Sequence, residues 1–209
     1  MTARGGYGML ARMRDLERQL GDVARLLDGV GDLPPLDVTF TDVPDDGPCV
    51  IIATPHQLPL AEQRLAVDQI AQRVGSVPAV GEVLMGRYGA SVRGQWADTV
   101  IVACTNAAPQ LPGTAALPPR STTTRETARV LRSLTAWARA AEPLLHELVI
   151  TDSSRSHRVL AVVTADQDAH SLMEGLVTDT DSLGHRPGRR YRALLPTGHS
   201  LSVSVDSLR

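Results

Sequence analysis

The chain has 209 residues, a formal net charge of -2 and an apolar share of 43%. This length suits one large domain or two small ones, and the charge gives no general attraction to nucleic acid or to an anionic membrane. Aromatic residues contribute only 3%, so few rings are available for stacking on bases. Two cysteines are too few for a disulfide scaffold, and no apolar run approaches the roughly 18 residues of a membrane span. We therefore expect a cytoplasmic protein without membrane contacts.

Residues 1–31 predict an N-terminal amphipathic helix with a heptad pattern. Its apolar residues recur at alternating spacings of four and three, as they do in a coiled coil. A second copy of the helix or the body of the same chain can bury such a seam, and both alternatives stay open. The residues predicted to form an oligomerisation surface are Met13, Leu16, Leu20, Val23 and Leu27.

Residues 36–106 predict the first half of an α+β body. Alternating apolar residues indicate its strands, and Pro59 and Gly75 bound its helix. The segment 107–122 is rich in Pro and Ala without a period, which is typical of a linker. The predicted elements are strands 37–43 and 49–54, a helix from 59 to 75, and strands near 82–92 and 99–105.

Residues 123–209 predict a second half with the same order of elements. Thr123 and Glu126 form a capping box at the start of a helix, and Pro143 should kink that helix or start a new turn. The remaining predicted elements are strands 148–152 and 158–164, a helix near 168–177, and strands near 191–195 and 201–205.

The two halves resemble each other in sequence. The stretch 38–57 can be laid on 148–167 at one offset of 110, which places Asp42 on Asp152 (152 − 42 = 110). We interpret this as an internal duplication, with each half built as helix, strand, strand, helix, strand, strand and the pair related by a pseudo-twofold axis. Cys49 then lies opposite Val159, and both Cys49 and Cys104 are expected to face the core as structural thiols.

Catalytic and metal-binding signatures are not apparent in the sequence. It has no GxSxG, P-loop or GxGxxG motif, so we predict no catalytic residues and favour a non-enzyme. Asp168, His170 and Glu174 have suitable ligand types, but their spacing matches no EF-hand or zinc motif. We therefore predict no metal and no cofactor.

Two arginine clusters are candidates for binding a partner or an anion. The first lies on one face of the helix after residue 123, and the second surrounds Tyr191. An arginine stripe is also the ordinary solvated side of an amphipathic helix, so the structural interpretation stays open. The arginines are Arg125, Arg129, Arg132 and Arg139 in the first cluster and Arg186, Arg189 and Arg192 in the second.

These features favour a non-enzymatic interaction, assembly or regulatory protein that self-associates through its N-terminal helix. The alternative is an effector-sensing or weakly marked hydrolytic protein with a small-molecule site between the halves. That site would be lined by Glu82, Tyr88, Arg190 and Tyr191. Nucleic-acid binding through Arg125, Arg129 and Arg132 is a weaker alternative.

Overall fold

A computed structural model of the chain describes nine ranges of residues. The N-terminal segment before Met13 and the predicted linker 107–122 lie outside them. The described ranges are 13–34, 36–43, 47–54, 58–84, 87–106, 124–152, 157–176, 190–195 and 197–205.

The fold is mixed α/β. Its helices are α1 (Leu16–Gly29), α2 (Leu60–Val74), α3 (Thr124–Ala141) and α4 (Asp166–Leu176). Its strands are β1 (Asp37–Val43), β2 (Gly47–Ala53), β3 (Ala79–Leu84), β4 (Arg87–Trp96), β5 (Thr99–Cys104), β6 (Glu147–Asp152), β7 (His157–Val163), β8 (Arg190–Leu194) and β9 (Ser200–Val205). Pro143 lies in a short 3-10 turn directly after α3, as predicted. The range 82–92 is predicted as one strand, but residues 82–84 belong to β3 and residues 87–92 to β4, and these two strands pair with each other.

The nine strands of the described residues form one sheet in the order β3-β4-β5-β2-β1-β6-β7-β9-β8. The strands of the two predicted halves meet at the antiparallel pair β1 and β6. Outward from that pair, β1 and β2 are antiparallel, β2 and β5 are parallel, and β5 and β4 are antiparallel. On the other side the order is the same: β6 and β7 are antiparallel, β7 and β9 are parallel, and β9 and β8 are antiparallel. The two predicted halves therefore share one sheet.

The helices of the described chain pack on one face of the sheet. α2 contacts β4 and β5, α4 contacts β7 and β9, and α1 and α3 pack along each other. α1 also touches α2, and α3 touches α4, so the helical layer is ordered α2-α1-α3-α4. Alternate strand residues such as Phe40, Ile101, Leu148 and Leu201 join the helices in a single apolar core and are 0% exposed.

The seam of α1 is buried inside this chain. Residues outside the seam, Ala24 and Leu26, are also 0% exposed. The apolar stripe is therefore wider than the two positions per heptad of a coiled coil, and it is covered within the chain. At most 3% of the side chain is exposed in each seam residue, namely Met13, Leu16, Leu20, Val23 and Leu27. The predicted oligomerisation residues thus belong to the core and offer no surface to a second copy.

Hydrogen bonds hold both ends of α1 to the second half of the chain. The backbone N–H of Leu16 donates to Oε2 of Glu142 at 2.7 Å, and that of Met13 donates to the carbonyl of Leu145 at 2.9 Å. After the helix, the N–H of Leu33 donates to Oγ1 of Thr124 at 2.8 Å. The N-terminal helix is therefore an integral part of the fold.

The two hairpins differ by one residue in register. Phe40 pairs with Val50, whereas Ile150 pairs with Val159. The offset is therefore 110 in the first strand (150 − 40) and 109 in the second (159 − 50). The single predicted offset of 110 is wrong beyond the first turn, because the second hairpin has one residue fewer between the paired positions.

Both cysteines lie on the sheet face opposite the helices. In β2, Val50 and Ile52 join the core and Cys49 alternates with them; in β5, Ala103 joins the core and Cys104 follows it. The prediction that the cysteines face the core is wrong, because a slip of one residue moves a whole strand to the other face. Cys49 is nevertheless only 4% exposed, and Cys104 is half-buried.

Candidate interaction surface on the sheet

One face of the sheet carries no helix among the described residues, and we call it the helix-free face. On the five central strands it consists of the odd-numbered residues of β1, β2 and β6 and the even-numbered residues of β5 and β7. These residues alternate with the core-facing ones, since successive side chains of a strand point to opposite faces. Most of them are half-buried.

A mostly apolar row of side chains crosses the middle of this face. Thr39 on β1 pairs with Ile51 on one side and with Val149 on the other. Ile51 pairs in turn with Val102, and Val149 pairs with Leu160. These five residues, the central row, lie side by side on neighbouring strands and span roughly 19 Å at the usual strand spacing. All five are half-buried.

Arginines extend the central row towards both edges of the sheet, on β4 and on the edge strand β8. Arg93 on β4 pairs with Val102. At the other end, Leu160 pairs with Ser202, which pairs with Arg192 on β8. Both arginine side chains are exposed. The row is therefore apolar at its centre and positively charged at its ends, although the whole chain has a net charge of -2.

Two further charged residues flank the central row on the second half of the sheet. Glu147 lies two residues before Val149 on β6, and Arg158 lies two residues before Leu160 on β7. Because β6 and β7 are antiparallel, Glu147 and Arg158 are on opposite sides of the row. Arg158 is exposed and Glu147 is half-buried.

The thiol of Cys104 lies on the helix-free face, where its reactivity depends on how far the face is covered. Cys104 pairs with Ala53 and with Ser91, whose small side chains leave the thiol half-buried. Burial raises the pKa of the Cys104 thiol above its ordinary value. The thiol is therefore mostly protonated and slow to react at neutral pH, in keeping with a structural role.

The structure does not bring together the four residues predicted to line a small-molecule site. Glu82 pairs with Tyr88 across β3 and β4, at one edge of the sheet. Arg190 and Tyr191 belong to β8, at the other edge. Seven strand spacings separate β4 from β8, a distance of roughly 34 Å.

The junction between the two halves is filled on its helical side. β1 and β6 are directly hydrogen-bonded there. Phe40 and Ile150 are 0% exposed and belong to the same core as α1 and α3. Within the described residues, that side of the junction therefore has no room for the groove predicted between the halves.

The predicted arginine face of α3 is partly used inside the chain. Arg139 donates two hydrogen bonds of 2.7 Å to the carboxylate of Glu17. Arg132 forms an ion pair with Asp28. Both acids belong to α1, so these arginines join the two helices. The hydrogen bond from Arg139 lowers the pKa of Glu17 below its ordinary value.

The other predicted arginines have different surroundings. Arg125 and Arg129 are exposed on α3 and form no ion pair within the described part of the chain. Arg192 lies on the helix-free face, at one edge. Arg186 and Arg189 fall outside the described residues.

The residues considered as metal ligands, Asp168, His170 and Glu174, lie on α4. Tyr191 packs edge-on against His170, with 5.7 Å between the ring centroids. In the described ranges, no group of three or more His, Cys, Asp or Glu side chains is arranged to hold a metal ion. His170 and Asp168 therefore belong to no recognisable metal site in that part of the chain.

A surface depression of about 340 Å³ lies beside the start of α1. Arg14 donates a hydrogen bond of 2.9 Å to Asp42, and Arg18 bonds to both Asp15 and Asp98. Carboxylates thus balance the positive charge of the arginines in the depression, so little net charge remains to attract a charged ligand. Its lining residues are Arg14, Asp15, Arg18, Pro48, Asp98 and Val100.

Sequence reasoning did not identify the helix-free face as a candidate surface. The available signal was the run of consecutive apolar residues in the central strands, for example Cys49–Ala53 and Val159–Val163. Such runs are typical of strands covered on both faces, whereas strands with one solvated face alternate apolar and polar residues.

No helix in the described ranges is both long and apolar enough to cross a lipid bilayer. Comparisons of the chain with protein-family models, with curated proteins and with solved structures found no match.

Proposed function

We propose that this chain is a non-enzymatic interaction protein that binds another protein through its helix-free face. The observation that carries the proposal is the composition of the central strands. β2 reads GPCVIIA, β5 reads TVIVAC and β7 reads HRVLAVV. These runs are typical of strands buried on both faces, whereas the helices of the described ranges pack on one face. A partner protein would cover the other.

Covering the central row favours association through the hydrophobic effect. Ile51, Val102, Val149 and Leu160 are half-buried, so each still exposes apolar surface. Removing such surface from water contributes about 25 cal/mol per Å². Contiguous apolar patches with a polar rim are typical of protein-binding sites, and here exposed Arg93 and Arg192 form part of that rim.

A protein partner fits this surface better than the two alternative ligand classes. The described residues of the helix-free face include no aromatic side chain on which a base could stack. The face is also a sheet surface, whereas small-molecule sites are concave and enclose most of their ligand. Arg125 and Arg129 remain candidates for an anionic partner, but they lie on a helix of the opposite layer.

We also propose that the symmetric sheet arose by duplication. The matching order of pairings on either side of β1 and β6 supports this origin. The sequence offset of 110 places Thr39 on Val149 (149 − 39 = 110), and these two residues pair with each other. A twofold axis through that pair would exchange the two halves. It would pass through the centre of the helix-free face.

Site-specific photo-crosslinking in the cells that make the protein tests the binding surface. A photoreactive residue replaces Leu160 in one variant and Val102 in another, both in the central row. The matched control replaces Arg129, which is exposed on α3, on the helical side. We expect a discrete crosslinked product from the two face positions and none of the same mass from the control.

The result would contradict the proposal if the face positions yielded no product. It would also do so if the control yielded the same products, because that pattern reports random collisions. Unfolding midpoints of the three variants identify any that lose their fold.

A further inference from the structure

We propose that the protein bound on the helix-free face presents an acidic segment to the outer strands of the second half, β7, β9 and β8. This inference rests on the proposed function of the face and adds the chemistry of the partner. It follows from two arginines on either side of a column of serines, and from the contrast with the matching strands of the first half. We call this group the basic corner, and its residues are Arg158, Arg192, Ser200, Ser202 and Ser204.

The serines of the basic corner form a column along β9. Leu201 and Val203 of this strand belong to the core. The residues that alternate with them therefore point to the helix-free face, and they are Ser200, Ser202 and Ser204. Each hydroxyl can donate a hydrogen bond to a carboxylate.

The arginines lie on the strands beside this column. Arg158 on β7 pairs with Ser200, and Arg192 on β8 pairs with Ser202. Their Cα atoms are therefore roughly 12 Å apart, with β9 between them. Both side chains are exposed, and neither forms an ion pair with a described residue. Since arginine binds carboxylates through two parallel hydrogen bonds, acidic groups lying over β9 can be bound from both sides.

The acids described on the helix-free face lie away from the basic corner. Asp37 on β1 is two strand spacings from Arg158, and Glu147 on β6 is three from Arg192. These spacings correspond to roughly 10 Å and 14 Å. Both exceed the Debye length of about 8 Å at physiological ionic strength. The positive charge of the corner is therefore available to a partner.

The matching strands of the first half are apolar on this face. Cys49 of β2 occupies the position that Arg158 has on β7, because Cys49 pairs with Val100 as Arg158 pairs with Ser200. Where β9 has its three serines, β5 has Val100, Val102 and Cys104. The helix-free face is thus apolar on one side and basic on the other, so a partner with complementary sides binds in one orientation.

A partner that covers the central row also reaches the basic corner. Leu160, at one end of the row, pairs with Ser202 and lies two residues from Arg158. A standard interface of about 800 Å² per partner is about 28 Å across, which exceeds the roughly 19 Å of the row. The partner must place apolar and acidic groups about one strand spacing apart. Neighbouring side chains of a protein segment have that spacing.

The chemistry of the partner can be determined position by position. A photoreactive residue replaces Ser202 in one variant and Val102 in another, and each is crosslinked in the cells that make the protein. Mass spectrometry then identifies the peptide attached at each position. We expect the same partner from both variants. The peptide attached at Ser202 should contain more Asp and Glu than Lys and Arg, and the peptide attached at Val102 should be mainly apolar.

Charge substitutions test whether the arginines bind that segment. The photoreactive residue at Val102 serves as a fixed reporter, several strands from the substituted positions. Arg158→Glu and Arg192→Glu should each lower the yield of the crosslinked product at least roughly threefold, and Arg158→Gln should lower it less. Arg129→Glu makes the same charge change on α3 and should leave the yield unchanged. Circular dichroism checks that each variant is folded.

Two results would overturn the inference and leave the proposed function intact. One is a partner crosslinked at Val102 whose peptide at Ser202 is not acidic. The other is a yield from Val102 that stays the same in Arg158→Glu and Arg192→Glu. If neither Ser202 nor Val102 yields a crosslinked protein, the proposed function fails as well.

Discussion

The carboxylate of Glu142 accepts a hydrogen bond of 2.7 Å from the backbone N–H of Leu16, the first residue of α1. Asp15 precedes that helix but makes no capping bond with its side chain. Glu142, which directly follows α3, therefore satisfies an amide that the local sequence leaves open. A carboxylate at the positive end of a helix also interacts favourably with the helix dipole.

We expect Glu142→Ala to lower the free energy of unfolding by about 1 kcal/mol, the usual effect of losing a cap. Glu142→Gln keeps an acceptor without the charge and should lose less. The control is Glu62→Ala, because Glu62 is an exposed acid in the first turn of α2. Chemical denaturation provides the comparison. Equal losses in the two alanine variants would show that Glu142 has no special role at α1.

Leu20 tests whether α1 belongs to the core. It is 0% exposed, so Leu20→Ala should cost about 2–5 kcal/mol of unfolding free energy. Leu65→Ala, at a position that is 53% exposed, should stay within about 0.5 kcal/mol of the wild type. Denaturation curves measure both. A Leu20 variant that dissociates an oligomer while keeping its stability would instead place this seam between chains.

Gly94 allows α2 to end close to β4. A Cβ atom at this position would lie 2.6 Å from Cγ2 of Val74 and 2.8 Å from Oγ of Ser76. Gly94→Ala should therefore destabilise the protein by about 1–3 kcal/mol through overpacking. At Gly21 the nearest atom is Nη1 of Arg25 at 3.8 Å, so Gly21→Ala should gain about 0.5–1 kcal/mol of helix stability. In thermal unfolding we expect a lower midpoint for Gly94→Ala and a higher midpoint for Gly21→Ala. A lower midpoint in both variants would be inconsistent with this packing.

The pair between Glu17 and Arg139 predicts a pH dependence. The hydrogen bond from Arg139 lowers the pKa of Glu17 in the folded protein. Its stabilisation is therefore present above the ordinary carboxyl pKa of 4.5 and is lost as the pH falls through the lowered value. Arg139→Ala should reduce the unfolding midpoint at neutral pH and have a vanishing effect in strong acid. Arg129→Ala, with no such pair, should show no trend, and a pH-independent effect of Arg139→Ala would exclude this linkage.

The sequence predicts the elements of this fold well because its signals are local. Pro59 and Gly75 bound a helix within a residue of α2, which runs from Leu60 to Val74. Strand β1 covers the predicted range 37–43. Proline and glycine restrict or free the backbone at their own positions, so their effects can be read without the rest of the chain.

Long-range features were harder to predict, because they depend on which strands pair and in what register. One residue fewer in the second hairpin moved Cys49 from its expected match with Val159 to one with Arg158 (158 − 49 = 109). That slip also reversed the face assigned to the cysteines. The separation of Glu82 from Tyr191 follows from the strand order, which no local pattern specifies.

The seam of α1 shows a related difficulty. A heptad spacing fits both a coiled coil and a helix docked in its own chain. Ala24 and Leu26 widen the apolar stripe beyond a coiled-coil seam, and both are buried. Counting those two residues with the seam would have favoured docking from the sequence alone.

The central claim is that another protein covers the helix-free face, and alkylation of Cys104 tests it most directly. In a Cys49→Ser background, Cys104 is the one remaining thiol of the chain. Its rate of alkylation is measured for the diluted, purified protein and for the same protein in an extract of the cells that make it. Leu160→Glu serves as the control, because a charge in the central row should prevent a partner from covering the face.

We expect alkylation of Cys104 to be several-fold slower in the extract than in the diluted protein, because a partner would shield the thiol. The Leu160→Glu variant should react at the same rate in both. If Cys104 of the protein that keeps Leu160 is alkylated at equal rates in the two conditions, the result would contradict the account.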